Sequence, residues 1–222
     1  MTAVMGVAAA AIVGGVGISN AVGDAPASAA DARPVAAVTA EQAKPTAKKT
    51  PPVAKSLKHD GKLQPNYYYC GPAATRIALS ALAKHAPSHD NLAQQLGTTT
   101  AGTNSAQDVT RVLNRQLGAE RYRTTEIPSE SASPKQVERL RRDIVTSVSH
   151  GDPVVANIAG TVSDTAGEQH SYEGGHYLTV VGYSANGALA KIADPADTQG
   201  SNIYQLSTTT LANWIATRGY SS

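Results

Sequence analysis

The segment Gln64–Leu79, QPNYYYCGPAATRIAL, contains the only cysteine of the 222-residue chain. Gly71 and Pro72 follow Cys70 and begin an alanine-rich helical pattern, since proline suits the first turn of a helix. A thiol at this position faces unpaired backbone N–H groups and the positive end of the helix dipole. Both favour the thiolate, the nucleophilic form of cysteine. The sequence therefore predicts that Cys70 is a catalytic nucleophile, rather than the inert buried cysteine that is commoner across proteins.

A candidate hydrogen-bond donor for the oxyanion of the reaction lies in the same segment. Gln64 precedes Cys70 by six residues, and its side-chain amide carries two N–H donors. Donors of this kind stabilise the oxyanion that develops when a nucleophile attacks a carbonyl carbon. We therefore expect the amide of Gln64 to turn toward the thiol and to act as the oxyanion donor.

A cysteine nucleophile needs a base, and His176 is the best-fixed of the six histidines. It follows Gly174-Gly175 and leads directly into the apolar run Tyr177–Tyr183, so a buried strand is expected to hold its ring still. His170 lies in a polar loop and is expected to be mobile. The other four histidines occupy linker-like or helix-end positions and are expected to be exposed: His59, His85, His89 and His150. A purely structural histidine at a strand edge is the alternative for His176.

The base needs an orienting group, and Asp194 is the first candidate. The turn signal Asn186-Gly187 separates two apolar runs and predicts a hairpin. Its register places Asp194, at the end of the second strand, near the mouth where His176 lies. Asp197 is the second candidate. Because Asp-Pro is itself a turn signal, an exposed turn carboxylate remains the alternative for Asp194.

The first 57 residues predict export and a spacer. Residues 3–18 form an uncharged apolar run, followed by small-x-small cleavage sites, so we assign residues 1–29 to a signal peptide although no lysine or arginine precedes the run. A retained anchor is the alternative, but the run is short and rich in glycine for a membrane span. Residues 30–57 read as a disordered linker rich in Pro, Ala and Lys. We therefore expect a secreted or cell-surface protein.

Charge limits the partners of the remaining domain, residues 58–222. It contains 14 basic and 14 acidic residues, and a zero net charge argues against nucleic-acid binding, which needs a basic face. Residues 44–58 carry five lysines and no acid, and a weak association with an anionic cell wall or membrane surface is the alternative to a solvated spacer. In an exported protein an unpaired cysteine indicates a reactive thiol or an intermolecular bridge.

The order of predicted elements indicates an α+β fold, with N-terminal helices packed on an antiparallel sheet. Capping and stop signals predict helices at Gly71–Lys84, Asp90–Leu96, Ser105–Leu117, Pro134–His150 and Leu211–Ile215. Apolar runs bounded by turn residues predict strands at Pro153–Ala159, Tyr177–Tyr183, Leu189–Ala193 and Ile203–Leu206.

Several motifs together resemble the bacteriocin-processing peptidase family, whose members are papain-like cysteine peptidases that remove double-glycine leader peptides. The resemblance covers about Leu63 to Trp214 and is carried by Gln64, Cys70-Gly71-Pro72-Ala73-Ala74, Gly175-His176-Tyr177, Asp194-Pro195 and the segment Leu92–Thr98. It implies a papain-like fold in which Gln64 is the oxyanion donor, Cys70 the nucleophile, His176 the general base and acid, and Asp194 the orienting carboxylate. Typical members are fused to a membrane transporter, so this chain resembles a stand-alone, secreted branch.

Other functions use or replace the same residues. Acyl transfer to an amine, or hydrolysis of a cell-wall peptide, would use the same thiol. A degenerate peptide-binding module is disfavoured because all four site residues are present. A metal site formed by Glu168, His170, Glu173 and His176 matches no standard zinc spacing. We expect a monomer that acts on a peptide or protein substrate and needs no cofactor or metal.

Overall fold

The computed structural model describes residues 50–196 and 202–222. The predicted signal peptide, most of the predicted linker and Asp197 lie outside the described residues. Within them the helices are α1 (Cys70–Leu82), α2 (His89–Leu96), α3 (Ala106–Leu117), α4 (Pro134–His150) and α5 (Thr208–Trp214). The strands are β1 (Lys55–Ser56), β2 (Thr124–Ile127), β3 (Val154–Ser163), β4 (Gln169–Ser184), β5 (Leu189–Ala193), β6 (Ile203–Ser207) and β7 (Arg218–Ser221).

Helices α2, α3 and α4 begin and end where capping chemistry predicts, whereas α5 begins at Thr208, three residues before its predicted start. Serine side chains accept hydrogen bonds from the first turns of α2, α3 and α4, and a left-handed glycine follows each of these helices: Ser88, Ser105 and Ser133, then Gly97, Gly118 and Gly151. Ser133 and Gln136 form a complete capping box. No helix in residues 50–196 or 202–222 is both long and apolar enough to cross a membrane.

The described strands form one antiparallel sheet in the order β2-β7-β3-β4-β5-β6, with β1 added to β4. Helices cover both of its faces. Val155 and Tyr177 pack against α1, α2 and α3, whereas Val154 and Leu178, their neighbours along the strands, pack against α4 and α5. This alternation follows from the period of two in a β-strand. The predicted α+β class, with N-terminal helices on an antiparallel sheet, is confirmed.

The central hairpin is longer than the sequence predicts. β3 continues to Ser163 and β4 begins at Gln169, so the polar segment expected to be a loop is paired strand. Its mixed polar composition hides this pairing, because two exposed strands can be held by ladder hydrogen bonds without an apolar face. β1, β2 and β7 were also not predicted. They are two to four residues long and are defined by their partners in the sheet.

The folded part of the chain begins before residue 58, the predicted first residue of the domain. Lys55 and Ser56 pair with Tyr183 and Gly182 of β4, and the Leu57 N–H donates to the Val181 carbonyl at 2.8 Å. The reason is that β4 would otherwise leave N–H and C=O groups unpaired, and an extended lysine-containing segment can satisfy them without apolar residues. The folded domain therefore includes the last residues of the segment assigned to the linker.

Candidate active site

Cys70 is the first residue of α1, and its neighbour Gly71 allows the close packing that the site requires. A Cβ at Gly71 would overlap the side chain of Thr103, in the loop between α2 and α3. Thr75 reinforces the turn by donating to the Gly71 carbonyl at 2.8 Å. Cys70 is 7% exposed. The Cys-Gly pair thus places the thiol at a helix end that packs closely against the loop containing Thr103.

His176 lies near the middle of β4, opposite Ile158 of β3. Its Nε2 is 2.7 Å from Oδ1 of Asp194, and both side chains are buried. Cys70 and His176 line the same cleft, and because Asp194 engages Nε2, Nδ1 is the ring nitrogen that remains for the thiol. The ring of Tyr172 stacks on the imidazole with centroids 3.9 Å apart and planes 14° apart. The imidazole is therefore held on three sides.

Asp194 follows β5, where the hairpin register places it. The β4–β5 pairing aligns Tyr183 with Ala190 near the turn, and an irregularity between Gly182 and Val180 shifts the register by one residue. The turn itself is a 3₁₀ turn over Ala185–Gly187 rather than a two-residue hairpin turn. The shift aligns Ala193 with Thr179 and brings the next residue, Asp194, to His176. The structure thus places the first candidate, Asp194, at the imidazole.

The carboxylate of Asp194 is fully satisfied. Besides His176, it accepts hydrogen bonds from the Ala196 N–H at 2.9 Å, the Tyr172 hydroxyl at 3.0 Å and the Tyr204 hydroxyl at 2.7 Å. Burial alone would raise the pKa of Asp194. The hydrogen bonds and charge of His176, with the bonds from the Ala196 N–H and the Tyr204 hydroxyl, lower it by more, so the net pKa lies below the usual value. Burial and the Asp194 charge raise the pKa of both tyrosine hydroxyls. Asp194 therefore stays ionised and the tyrosines stay protonated donors.

The thiol and the imidazole shift each other's pKa in opposite directions. Burial raises the pKa of Cys70, but the hydrogen bond and charge of His176, with the N–H groups of Tyr177 and Gly71, lower it below its usual value. Burial lowers the pKa of His176, but Asp194 and Cys70 raise it to about 9. Each charge stabilises the other, so the two shifts together favour an imidazolium–thiolate pair.

Gln64 is tethered to this region through its backbone. Its N–H donates to the Pro195 carbonyl at 2.8 Å, next to Asp194. Its side-chain Nε2 donates to the Asn66 carbonyl at 2.9 Å, and its Oε1 is buried without a hydrogen-bond partner among the described residues. One N–H of Nε2 remains for a further acceptor. The amide is thus held locally in the segment that leads to Cys70, and it makes no hydrogen bond to the three other site residues.

The expectations for two other histidines were wrong. His170 is 3% exposed rather than mobile: its Nε2 lies 3.3 Å from Oδ2 of Asp164, and its ring stacks on Tyr204 at 3.8 Å. His89, expected to be exposed, is also buried at the start of α2. Both are buried by tertiary contacts that a polar local sequence does not reveal.

The four residues considered for a metal site do not cluster as a set. Within the described ranges, the group whose ligand atoms lie close together is Asp164, Glu168 and His170, without Glu173 or His176. Asp164 already accepts hydrogen bonds from the N–H groups of Ala166 and Glu168 and faces His170. These hydrogen bonds explain why the three side chains lie together: they stabilise the turn of the β3–β4 hairpin.

Three side chains that the sequence did not single out also belong to the site. Tyr172 and Tyr204 bond to Asp194, and Arg218 lines the cleft that contains Cys70 and His176. Tyr172 precedes His176 by four residues, so strand periodicity would have placed it on the same face as His176 if β4 had been predicted to begin early enough. Tyr204 lies on the predicted strand Ile203–Leu206, but no local signal placed its hydroxyl beside Asp194, and Arg218 lies on β7, which was not predicted.

Comparison with known proteins gives one family and several structures. Residues 48–222 match the model of the Peptidase C39-like family. The chain is similar to a protein described as a C39-like peptidase from Bacillus anthracis, with 14% identity, a TM-score of 0.48, and coverage of 75% of this chain and 96% of that chain. No curated protein matches.

Two further solved structures are also similar to this chain. One is a double-glycine-motif protease from an AMS/PCAT transporter in complex with its leader peptide, with 16% identity, a TM-score of 0.44, and 75% and 91% of the two chains covered. The other is the peptidase domain of Streptococcus ComA, a bifunctional ABC transporter of a quorum-sensing pathway, with 16% identity, a TM-score of 0.43, and 75% and 96% covered.

Proposed function

The chain belongs to the Peptidase C39-like family and is a cysteine-type peptidase, and from this premise we propose that Cys70, His176 and Asp194 form its catalytic triad. The resemblance and the papain-like α+β fold predicted from the sequence are those of this family. The observation that carries the proposal is one arrangement: a thiol at a helix start that shares a cleft with a buried imidazole, whose Nε2 lies 2.7 Å from a buried carboxylate.

The first chemical step follows from the pKa values of the pair. His176 Nδ1 holds the proton of Cys70, and the thiolate attacks the carbonyl carbon of the scissile peptide bond to form a C–S bond. The imidazolium then donates this proton to the leaving amine as the C–N bond breaks. Asp194 keeps Nε2–H of the ring bonded throughout, so the ring stays oriented between thiol and leaving group.

Gln64 is proposed as the oxyanion donor. Its second Nε2 N–H is available while the first is bonded to Asn66, and that bond pre-orients the amide before substrate arrives. The backbone N–H of Cys70, at the first position of α1, lies at the same helix end. Two donors near the attacked carbonyl would stabilise the charge that develops there.

The second step releases the acyl group. Neutral His176 takes a proton from water, the hydroxide attacks the thioester, and Cys70 leaves as the thiolate. An amine in place of water would give acyl transfer, and a cell-wall peptide would be hydrolysed by the same steps. Comparing products with and without an added amine separates transfer from hydrolysis, and a panel of double-glycine and unrelated peptides tests whether this chain cleaves after double glycine.

We also propose that the peptidase is exported. The support is the uncharged apolar run of residues 3–18 with small-x-small sites after it. A reporter enzyme that is active only after export, fused behind residues 1–57, tests this. Retention of the reporter inside the cell would remove the proposal, and export without cleavage would favour an anchor.

The triad is tested by an active-site-directed thiol probe. Iodoacetamide should label Cys70 below neutral pH faster than a free peptide thiol, because the pKa of Cys70 is lowered. Cys70→Ala should lose all turnover with an unchanged circular dichroism spectrum. Full turnover by Cys70→Ala would end the assignment of Cys70, and labelling without turnover of any peptide would favour the degenerate binding module.

A further inference from the structure

The cleft beside the thiol carries a positive charge that the triad does not use. Its volume is about 150 Å³, and its lining includes Cys70, Thr103, Asn157, Gly175, His176 and Arg218. Pockets for drug-sized ligands measure about 300–1,000 Å³. This cleft is therefore smaller than a pocket for a drug-sized ligand, and a single group of a substrate suits its size.

The guanidinium of Arg218 is poorly paired within the protein. Its Nη1 donates to Asn157 Oδ1 across a long 3.5 Å, and its Nε is buried without a hydrogen-bond partner. In the described ranges no carboxylate forms an ion pair with it. Glu126 lies on the neighbouring strand β2, but its carboxylate accepts from Gln107 instead. A buried guanidinium N–H without an acceptor is costly, so a ligand that supplies the acceptor is favoured.

The surroundings hold Arg218 in place rather than leaving it free. Asn157 is buried and donates to the Tyr177 hydroxyl at 3.0 Å, which in turn contacts the Thr103 carbonyl at 3.4 Å. Thr217, the residue before Arg218, has φ +64°, a conformation that β-branched residues rarely adopt. Backbone strain of this kind persists only where the surrounding structure enforces it.

Gly175 supplies a third independent observation. Its φ is +94°, and a Cβ there would lie 2.8 Å from Arg218 Nη2. Glycine before His176 therefore serves a close approach, and the group that approaches is the Arg218 guanidinium. The charge is thus packed against the residue that precedes the imidazole.

We propose that Arg218 binds a carboxylate of the peptide substrate within the cleft beside Cys70, which makes it a specificity-determining residue. The inference rests on the proposed role of Cys70. The planar fork of arginine matches a carboxylate in two parallel hydrogen bonds, and pairing in a partly buried cleft strengthens them. Both an acidic side chain and a C-terminal carboxylate present this chemistry.

The test compares matched peptides that differ by one group. Peptides containing Glu, Gln or Lys at each position near the cleaved bond, with free-acid or amidated C-termini, are competed and their kcat/KM values compared. Wild-type protein should prefer either the Glu or the free-acid form over its neutral match by about tenfold or more. Arg218→Gln should abolish this preference mainly through KM, and Arg218→Glu should favour Lys. Arg115→Gln, on the exposed surface of α3, is the matched control and should keep the preference.

Three outcomes would overturn the proposal: equal rates for acid and neutral peptides, an acid preference that survives in Arg218→Gln, or an equal loss for all peptides, which would indicate a contact to the peptide backbone. Binding of the same peptides to Cys70→Ala gives a second measurement that needs no turnover, and equal or absent binding of the acidic peptides also overturns it. Labelling of Cys70 by iodoacetamide separates the role of Cys70 from the role of Arg218. If Cys70 is labelled and peptides are cleaved without acid preference, only the inference about Arg218 is removed.

Discussion

Two buried histidine–aspartate pairs have their histidines on the same strand, β4, and differ in what surrounds them. His176 pairs with Asp194 at 2.7 Å, and His170, six residues earlier on β4, pairs with Asp164 at 3.3 Å. A tyrosine ring stacks on each imidazole at almost the same distance. What separates the pairs is the contact of His176 with a thiol at a helix end. The comparison teaches that burial and a carboxylate alone do not place an imidazole beside a nucleophile candidate.

The two pairs are also joined by one side chain. Tyr204 stacks on His170 and donates to Asp194 at 2.7 Å. Asp194 accepts hydrogen bonds from two tyrosine hydroxyls, whereas Asp164 accepts from the backbone of its own turn. The His170–Asp164 pair thus lies at the end of the β3–β4 hairpin, and His170 packs on the tyrosine that donates to Asp194.

Replacing the two histidines should give the largest difference. His176→Ala should lower kcat by about 10⁴-fold or more, as when a member of a catalytic triad is removed, whereas His170→Ala should stay within about tenfold of wild type. Thiolate absorbance near neutral pH should disappear with His176 and persist without His170, because only His176 supplies the positive charge. If His170→Ala silences the enzyme and His176→Ala does not, the base is misassigned.

Replacing the two carboxylates should give the next largest difference. Asp194→Asn should lower kcat by up to about 10⁴-fold, because the amide favours the wrong imidazole tautomer. Part of the thiolate absorbance should remain, since orientation suffers more than charge. Asp164→Asn is the matched control, and we expect turnover within about threefold of wild type. Equal losses in the two variants would contradict the difference between the pairs.

Gln64 tests whether the region around Asp194 also contains the oxyanion donor. Gln64→Ala should lower kcat by about 10²- to 10³-fold with little change in KM, the scale of losing one preorganised donor. Gln64→Glu, which retains the size but not the N–H groups, should behave alike. An undiminished kcat in both variants would show that Gln64 has only a structural role, through its backbone hydrogen bond to Pro195.

The pH profile should follow only the His176 pair. Rate should rise with pH as Cys70 loses its proton, at a pH below the usual thiol range, because the folded pKa is lowered. It should fall above about pH 9, where His176 loses the proton that the leaving group needs, by about tenfold per pH unit. His170→Ala should leave both limbs in place. A basic limb that moves in His170→Ala would contradict the assignment of that limb to His176.

The tyrosines should give the smallest effects. Tyr172→Phe and Tyr204→Phe each keep a stacked ring and remove one hydrogen bond to Asp194, so kcat should fall by less than about tenfold in each. Tyr172→Leu, which also removes the stacking on His176, should cost more than Tyr172→Phe. Equal kcat values for these two Tyr172 variants would show that stacking does not position the imidazole.

Much of this arrangement was predictable because its signals are local. Capping serines and terminal glycines define the ends of α2, α3 and α4 within one or two residues. The Gly-Pro pair after Cys70 sets the helix start, and the hairpin signal at Asn186-Gly187 brings Asp194 to the strand of His176. In each case the residues that decide the structure lie within a few positions of the element they define.

The remaining features were decided only by the tertiary structure. His170 lies in a polar stretch, and its burial depends on Asp164 and on Tyr204 of a distant strand. Arg218 lies on β7, a four-residue strand with no apolar alternation, and it reaches the cleft because β7 pairs with β3. The sequence by itself determined the helix that Cys70 begins and predicted Cys70 as the nucleophile with His176 and Asp194 as partners, since these predictions rest on short-range capping and periodicity. Long-range strand pairing decided which polar side chains meet around them, because no local pattern encodes contacts such as His170–Tyr204 and Arg218–Asn157, which join residues 34 and 61 positions apart.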